Sequence, residues 1–213
     1  MTDPTPEALA SVDPWYWAFI NKMQFQAGAY ELAGHEYQVE PLQCEAQVTV
    51  DMKGSQLGFT QIEIVKDLHG LRYHRYPQGV LYLFPTDRDV SEFSKARFAP
   101  LIERNRASIG RFIQNTDSTN LKQIGDAFLF FRGARVTQKV EGMVKESSKL
   151  RSIPVDRVVY DEEDLMDPEM VEEAKDRYQH SKLKEESHIS TPSIPDFGID
   201  RRYQESDQRV WTI

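Results

Sequence analysis

The sequence predicts an α/β protein with a mostly parallel central sheet and helices on both of its faces. Two observations carry this reading. From Glu45 onward, strand-like runs alternate with helix-period segments, the order that crossover connections produce. The runs "VLYLF" (80–84) and "RVVY" (157–160) are also nearly continuous in apolar residues, as strands covered on both faces must be. A chain of 213 residues is long enough for one sizeable core.

The elements follow in order. Residues 1–13, rich in Pro, Thr and Asp, read as a flexible lead-in. "PWYWAFINKMQFQ" (14–26) reads as a helix, with Asp13 as cap and Pro14 at its first position. These segments make residues 1–40 an N-terminal lead-in and residues 41–213 the main domain. Strands are expected over 46–52, 79–85, 127–134, 156–162 and 187–191. "NLKQIGDAFLFF" adds a hairpin turning at Gly125-Asp126. Helices are expected over 59–70, with Ile62, Val65 and Leu68 on one face, over 86–105, and over 167–180, where Asp167 caps and Pro168 leads. After Ser193 the chain reads as turn-rich, and its ending at "RVWTI" suggests a cut in a longer protein.

Composition narrows the class. One cysteine, Cys44, excludes an internal disulfide framework and a cysteine-rich zinc site, and fits a reducing compartment. Cys44 and the five histidines (35, 69, 74, 180 and 188) show no ligand spacing. No apolar run is long enough to cross a bilayer, so a cytoplasmic protein with no membrane partner is expected. With 26 basic and 34 acidic residues the net charge is −8, which by itself does not point to nucleic acid. The basic runs "RYHRY" (72–76) and "KARFAPLIERNRASIGR" (95–111) leave room for a locally basic face, although most such runs are solvated surface.

Chemistry enters at "KGSQLGFT", residues 53–60, between a strand-like run and a helix. A phosphate loop curls backbone N–H groups around the anion at a helix N-terminus, and adds a lysine and a metal-binding hydroxyl. In G-x-x-x-x-G-K-[ST] the lysine stands next to the hydroxyl; here Phe59 holds that slot and Lys53 opens the loop. Since the loop closes on itself, both of its ends lie near the phosphates. Lys53 can reach them from the start, Gly58 permits close approach, and Thr60 is placed for Mg²⁺. Alone, the pattern is weak.

"RVVYDE" (157–162) strengthens it. An apolar strand ending in Asp-Glu suits a metal-binding Asp161 and a Glu162 that deprotonates attacking water. An acidic turn before a helix is the plainer reading, and it fits Glu163, Asp164 and Asp167 better. "HISTPSIPD" (188–196) then places Ser190 and Thr191 at a strand's carboxyl end, where open α/β sheets bind ligands; a Ser/Thr turn before proline is the alternative.

Loop, acid pair and Ser-Thr-Pro, in this order, resemble the ATPase domain of tailed-phage terminase large subunits, in the lambda-like branch. "LYLFPTDRDVSEFSKARFAPLI" and "ESSKLRSIPVDRVVYDE" are similar to that family's segments, and the branch's loop likewise opens with its lysine. The resemblance implies a P-loop NTPase fold, a three-layer α/β/α sandwich of RecA/ASCE-like type. It implies ATP hydrolysis with Mg²⁺ in the host cytoplasm, in a homo-oligomeric ring that moves double-stranded DNA into a procapsid with a portal protein and a small subunit. Carried over by position, Lys53, Gly54, Ser55, Gln56, Leu57, Gly58, Phe59 and Thr60 form the nucleotide loop. Thr60 and Asp161 hold Mg²⁺, Glu162 is the catalytic acid, and Ser190 and Thr191 couple hydrolysis to movement. Arg151, eleven residues before Glu162, matches an arginine that reaches a neighbour's ATP, with a surface ion pair as the alternative. Gln43 sits where a glutamine reads adenine. The family's C-terminal nuclease is not expected within these residues.

Two departures stand out. Asp51 brings negative charge close to the loop unless it points across the strand, and Glu163 makes the acid cluster dense. Two rivals stay open: a helicase-like ATPase outside packaging, which shares the strand-end Pro85-Thr86, and a binding module with a decayed site, which Asp51 and Phe59 would support.

Overall fold

A computed structural model describes residues 3–135, 150 and 152–211. The N-terminal part comprises helices α1 (Pro6–Val12) and α2 (Pro14–Ile20), a small hairpin of β1 (Gln24–Phe25) and β2 (Gly28–Ala29), and helix α3 (Val39–Gln43). The main sheet contains β3 (Val48–Met52), β4 (Val80–Phe84), β5 (Ile113–Ser118), β6 (Leu121–Ile124), β7 (Ala127–Gly133), β8 (Arg157–Asp161) and β9 (Glu185–Ser190). Its spatial order is β3-β9-β8-β4-β7-β6-β5. The first five strands in that order run parallel, and β6 and β5 add an antiparallel edge through the hairpin at Gly125-Asp126.

The sheet is covered on both sides. Val80, Tyr82 and Phe84 of β4 pack toward helix α4 (Phe59–Arg72), while Leu81 and Leu83 pack with Met170, Val171 and Ala174 of helix α7 (Pro168–Lys175). All five residues of β4 and all five of β8 are buried, which is why β4 and the middle of β8, Val158 to Tyr160, read as apolar runs. Strand β9 inserts between β3 and β8. This insertion brings the end of β3, the end of β8 and the end of β9 side by side at one edge of the sheet.

The structure departs from the expected elements in several places. Residues 6–12 form a helix capped by the Thr5 hydroxyl, with Ala10 buried, where a flexible lead-in was expected. The helix from Pro14 ends at Ile20, not Gln26. Beyond it Asn105 clamps the chain in the hairpin, accepting from the Gln24 amide at 2.8 Å and donating to the Gln24 carbonyl at 2.8 Å. Such partners, 81 residues away, leave no local trace. The helix expected over 86–105 is three pieces: α5 (Asp87–Phe93), a π-helical turn Ser94–Phe98, and α6 (Ala99–Arg104). Pro100 explains the break. It has no N–H for the carbonyl one turn back, and widening the turn before it relieves the clash. Asp167 occupies the position before α7, but its side chain does not cap that helix. Finally, residues 198–204 form helix α8 (Gly198–Gln204), whose Ile199 amide donates to Asp164 at 2.7 Å.

Candidate nucleotide site

The loop after β3 runs from Lys53 to Gly58 and delivers the chain into α4. Gln56 and Gly58 both have positive φ, 64° and 80°, so the backbone turns back on itself. At Gly58 this left-handed conformation strains any side chain, and one would also have to displace the tip of Gln38. A Cβ there would lie 2.6 Å from Gln38 Nε2. The loop is held from below by Tyr37, whose hydroxyl donates to the Leu57 carbonyl at 2.7 Å, and by Gln38, whose amide donates to the same oxygen at 3.1 Å. Phe59, in the usual lysine slot, is buried and its ring lies 6.3 Å from that of Tyr37. The slot is therefore used for packing, and the loop's lysine stands at its other end.

That other end meets the acid strand. Lys53 Nζ donates to Glu162 Oε1 at 2.6 Å, and Thr60 Oγ1 donates to Asp161 Oδ2 at 2.8 Å. Tyr82 donates to the same Asp161 oxygen at 2.8 Å. Burial pushes the Asp161 carboxyl above its ordinary value, opposed by the Tyr82 and Thr60 hydrogen bonds. Glu162 stands just past the end of β8 in a left-handed conformation, φ 63° and ψ 53°, uncommon for a side-chain-bearing residue. Its amide bonds the Ile189 carbonyl at 2.8 Å, which fixes the reversal against β9.

Ser190 and Thr191 join the same group. The Lys53 amide donates to the Ser190 carbonyl at 3.0 Å, and the Thr191 amide donates to Glu162 Oε2 at 3.2 Å. The Ser190 hydroxyl is buried and accepts from the Asp164 amide at 3.2 Å. Loop, acid pair and Ser-Thr, read from three distant stretches of sequence, thus converge on one edge.

Gln43 does not join them. It is exposed, and its amide donates to Asp13 at 2.6 Å. The glutamine against the loop is Gln38, five residues earlier, together with Tyr37. The stretch "YQVEPLQ" holds two glutamines, and which one faces the loop depends on where α3 begins. Arg151 lies outside the described residues. Asp51 is turned into the protein, where Glu63, Lys66, Arg157 and His188 surround it electrostatically, and burial raises its carboxyl to about 7. Glu163 is matched by His188 at 2.6 Å and by Arg202 at 2.7 Å, and these partners hold its carboxyl below the ordinary value despite burial. The dense acid cluster is therefore divided between a neutralised half and the site.

Two clefts flank the loop. One, of about 520 Å³, is lined by Lys53, Ser55 to Gln61, Glu162 and residues of the π turn and α6. The other, of about 480 Å³, is lined by β3, Tyr37, Cys44 and the segment 206–211. Among the described residues no cluster of three or more His, Cys, Asp or Glu side chains could hold a metal alone. Thr60 and Asp161 nevertheless fit Mg²⁺, which binds oxygen ligands and commonly takes one or two carboxylates together with substrate phosphates.

Residues 26–213 match the model of the phage terminase large subunit gpA ATPase domain. The chain belongs to this family. The match runs from the turn of the small hairpin through the phosphate loop, the acid strand and the Ser-Thr-Pro turn. The mostly parallel sheet with helices on both faces agrees with the P-loop NTPase fold expected of a terminase ATPase domain. Neither the curated proteins nor the solved structures compared with the chain gave a match. No helix among the described residues is long and apolar enough to cross a membrane.

Proposed function

We propose that this domain hydrolyses ATP with Mg²⁺ and that, assembled in a ring around double-stranded DNA with a portal protein and a small subunit, it drives DNA into a procapsid. The observation that carries the proposal is the contact of Lys53 with Glu162, beside that of Thr60 with Asp161. A cation from the loop's first residue and a carboxylate from the acid strand meet at hydrogen-bond distance, where a polyphosphate and its attacking water would lie.

In this reading an entering polyphosphate competes with Glu162 for Lys53. The ammonium turns to the phosphate oxygens, and the released carboxylate takes the proton of the attacking water. Thr60 and Asp161 would hold Mg²⁺, which when bound neutralises charge between the β- and γ-phosphates. The Thr191 amide, bonded to the second oxygen of Glu162, links any movement of that carboxylate to the end of β9. Arg151 remains a candidate for donation to a neighbour's ATP, where it would make hydrolysis depend on assembly. Against a decayed site, Phe59 and Asp51 both have structural occupations: Phe59 packs on Tyr37, and Asp51 faces the interior.

Glu162→Gln keeps a side chain of the same shape that cannot take a proton. It is expected to retain ATP binding by calorimetry and to lower turnover of the assembled protein by about 10²–10⁴-fold. Turnover at the level of the unaltered protein would remove Glu162 from its role.

A further inference from the structure

The larger cleft beside the loop has a second basic wall. Arg97, on the π-helical turn, and Arg104, at the end of α6, line the same cleft as Lys53, Thr60 and Glu162. Both side chains are exposed, and neither has a carboxylate partner among the described residues. The same helical run shows the ordinary alternative, since Arg88 pairs with Glu92 and Arg106 with Glu103. The two that face the cleft are left unpaired.

The local structure explains why they face it. Phe93 and Phe98 are both buried, and each packs on Phe131, with ring centroids 5.5 and 5.3 Å away. A spacing of five puts two side chains on one side only where the helix widens to i→i+5 bonding, as Ala99 does in donating to the Ser94 carbonyl. The π turn seats both rings in the core and leaves Arg97 on the cleft. Arg104 follows seven residues later, two turns on, and returns to that face.

The two clefts flanking the loop are not equivalent. Glu162 and Thr60 line only the one that the arginines share; the other is walled by β3, Tyr37 and the segment 206–211. A nucleotide laid across the loop with its reacting phosphate near Glu162 therefore points that phosphate at the arginines. At about 520 Å³ the cleft has the size of a small-molecule site.

We propose that Arg97 and Arg104 form a same-chain clamp on the terminal phosphate of the bound nucleotide, supplying from the helix after β4 cations that the loop itself lacks. The proposal rests on the nucleotide-site reading above. Guanidinium forks suit a phosphate that presents several oxygens, and two of them with Lys53 match the charge of a γ-phosphate better than one ammonium alone.

Calorimetry with Mg²⁺ and either ADP or a non-hydrolysable ATP analogue tests it, on the unaltered chain and on Arg97→Ala, Arg104→Ala and Lys53→Ala. Both arginines are exposed and unpaired, so their removal leaves the fold intact; circular dichroism checks this. Each arginine variant is expected to lose affinity for the ATP analogue by about tenfold to a hundredfold, to keep its affinity for ADP, and to be partly rescued by lysine. Unchanged binding in Lys53→Ala would overturn the nucleotide site and the clamp with it. If Lys53→Ala abolishes binding while the arginine variants still distinguish ATP from ADP, the clamp alone fails. If the arginine variants bind both nucleotides normally but lose double-stranded DNA, the pair serves DNA and the clamp is likewise overturned.

Discussion

The two ends of β8 carry charge in opposite ways. At its amino end Arg157, 1% exposed, is ringed by Glu63, Asp67 and Glu185. Glu185 also receives Tyr76 at 2.7 Å and Arg75 at 2.8 Å. Four residues later, at the carboxyl end, Asp161 has two hydroxyl donors, and Glu162 pairs with the nearly buried Lys53 while its own side chain reaches solvent. The first cluster is closed on itself, each guanidinium nitrogen meeting a carboxylate. The second is built from acids whose protein partners are hydroxyls, an amide and one ammonium, which leaves oxygens that a metal ion or a phosphate could compete for. Burying charge serves the fold at one end and leaves chemistry available at the other.

The sharpest way to break this comparison is Arg157→Met. Removing the cation strands Glu63 and Asp67 in the interior while Glu185 keeps Arg75 and Tyr76, and about 3–5 kcal/mol of stability should be lost in urea unfolding. A loss below about 1 kcal/mol would mean that the amino-end network tolerates change as an exposed pair does.

Asp51 gives a smaller, pH-dependent effect. Its carboxyl titrates at about 7 in the fold against an ordinary 3.8, because burial outweighs Lys66 and Arg157. Asp67 behaves alike, raised to about 7, with Oδ2 unpartnered among the described residues. Over this interval these two groups hold protons in the folded chain that the unfolded chain has released, so their contribution to stability is complete below about pH 4 and falls as pH rises toward about 7. Asp51→Asn should flatten part of that slope. It should match the unaltered chain near pH 4 and exceed it by about 1–3 kcal/mol at pH 8. Denaturant midpoints at both pH values decide this; an equal deficit at both would show that the ionised carboxylate is needed.

At the carboxyl end, Tyr82→Phe sharpens the contrast with the smallest expected change. Tyr82 is fully buried, and burial keeps its hydroxyl protonated as a donor. Without it, Asp161 rises further and is less often charged. Under the proposed function, Mg²⁺-dependent nucleotide binding should weaken by about 0.5–1.5 kcal/mol, up to about tenfold. The loss should shrink as pH rises, and a magnesium titration at two pH values would read it. An effect that does not change with pH would separate Tyr82 from the charge of Asp161.

The same contrast explains what the sequence made legible. β4 and the centre of β8 announce themselves because their burial is apolar, and the loop and acid pair because their residue types and spacing form a local pattern. β9, "EESHIS", is as deeply buried but polar, and it was expected only from Ser187 onward. Glu185 pairs with side chains from β8 and from the residues just after α4, and no local pattern encodes that. Helix α4 was legible through Ile62, Val65 and Leu68, yet Glu63, Lys66, Asp67 and His69 on its other sides are buried too. Gln38 was missed for a related reason. Two glutamines in one short stretch differ only in which side of a helix start they occupy, and that is fixed by Tyr37 and Gln38 gripping the loop.

The left-handed backbone at Glu162 bears on any attempt to harden this protein. Glycine, and to a lesser degree asparagine, adopts that conformation more readily than glutamate. A library at position 162 screened only for heat resistance would therefore enrich the residues that fit the bend and discard the carboxylate that grips Lys53.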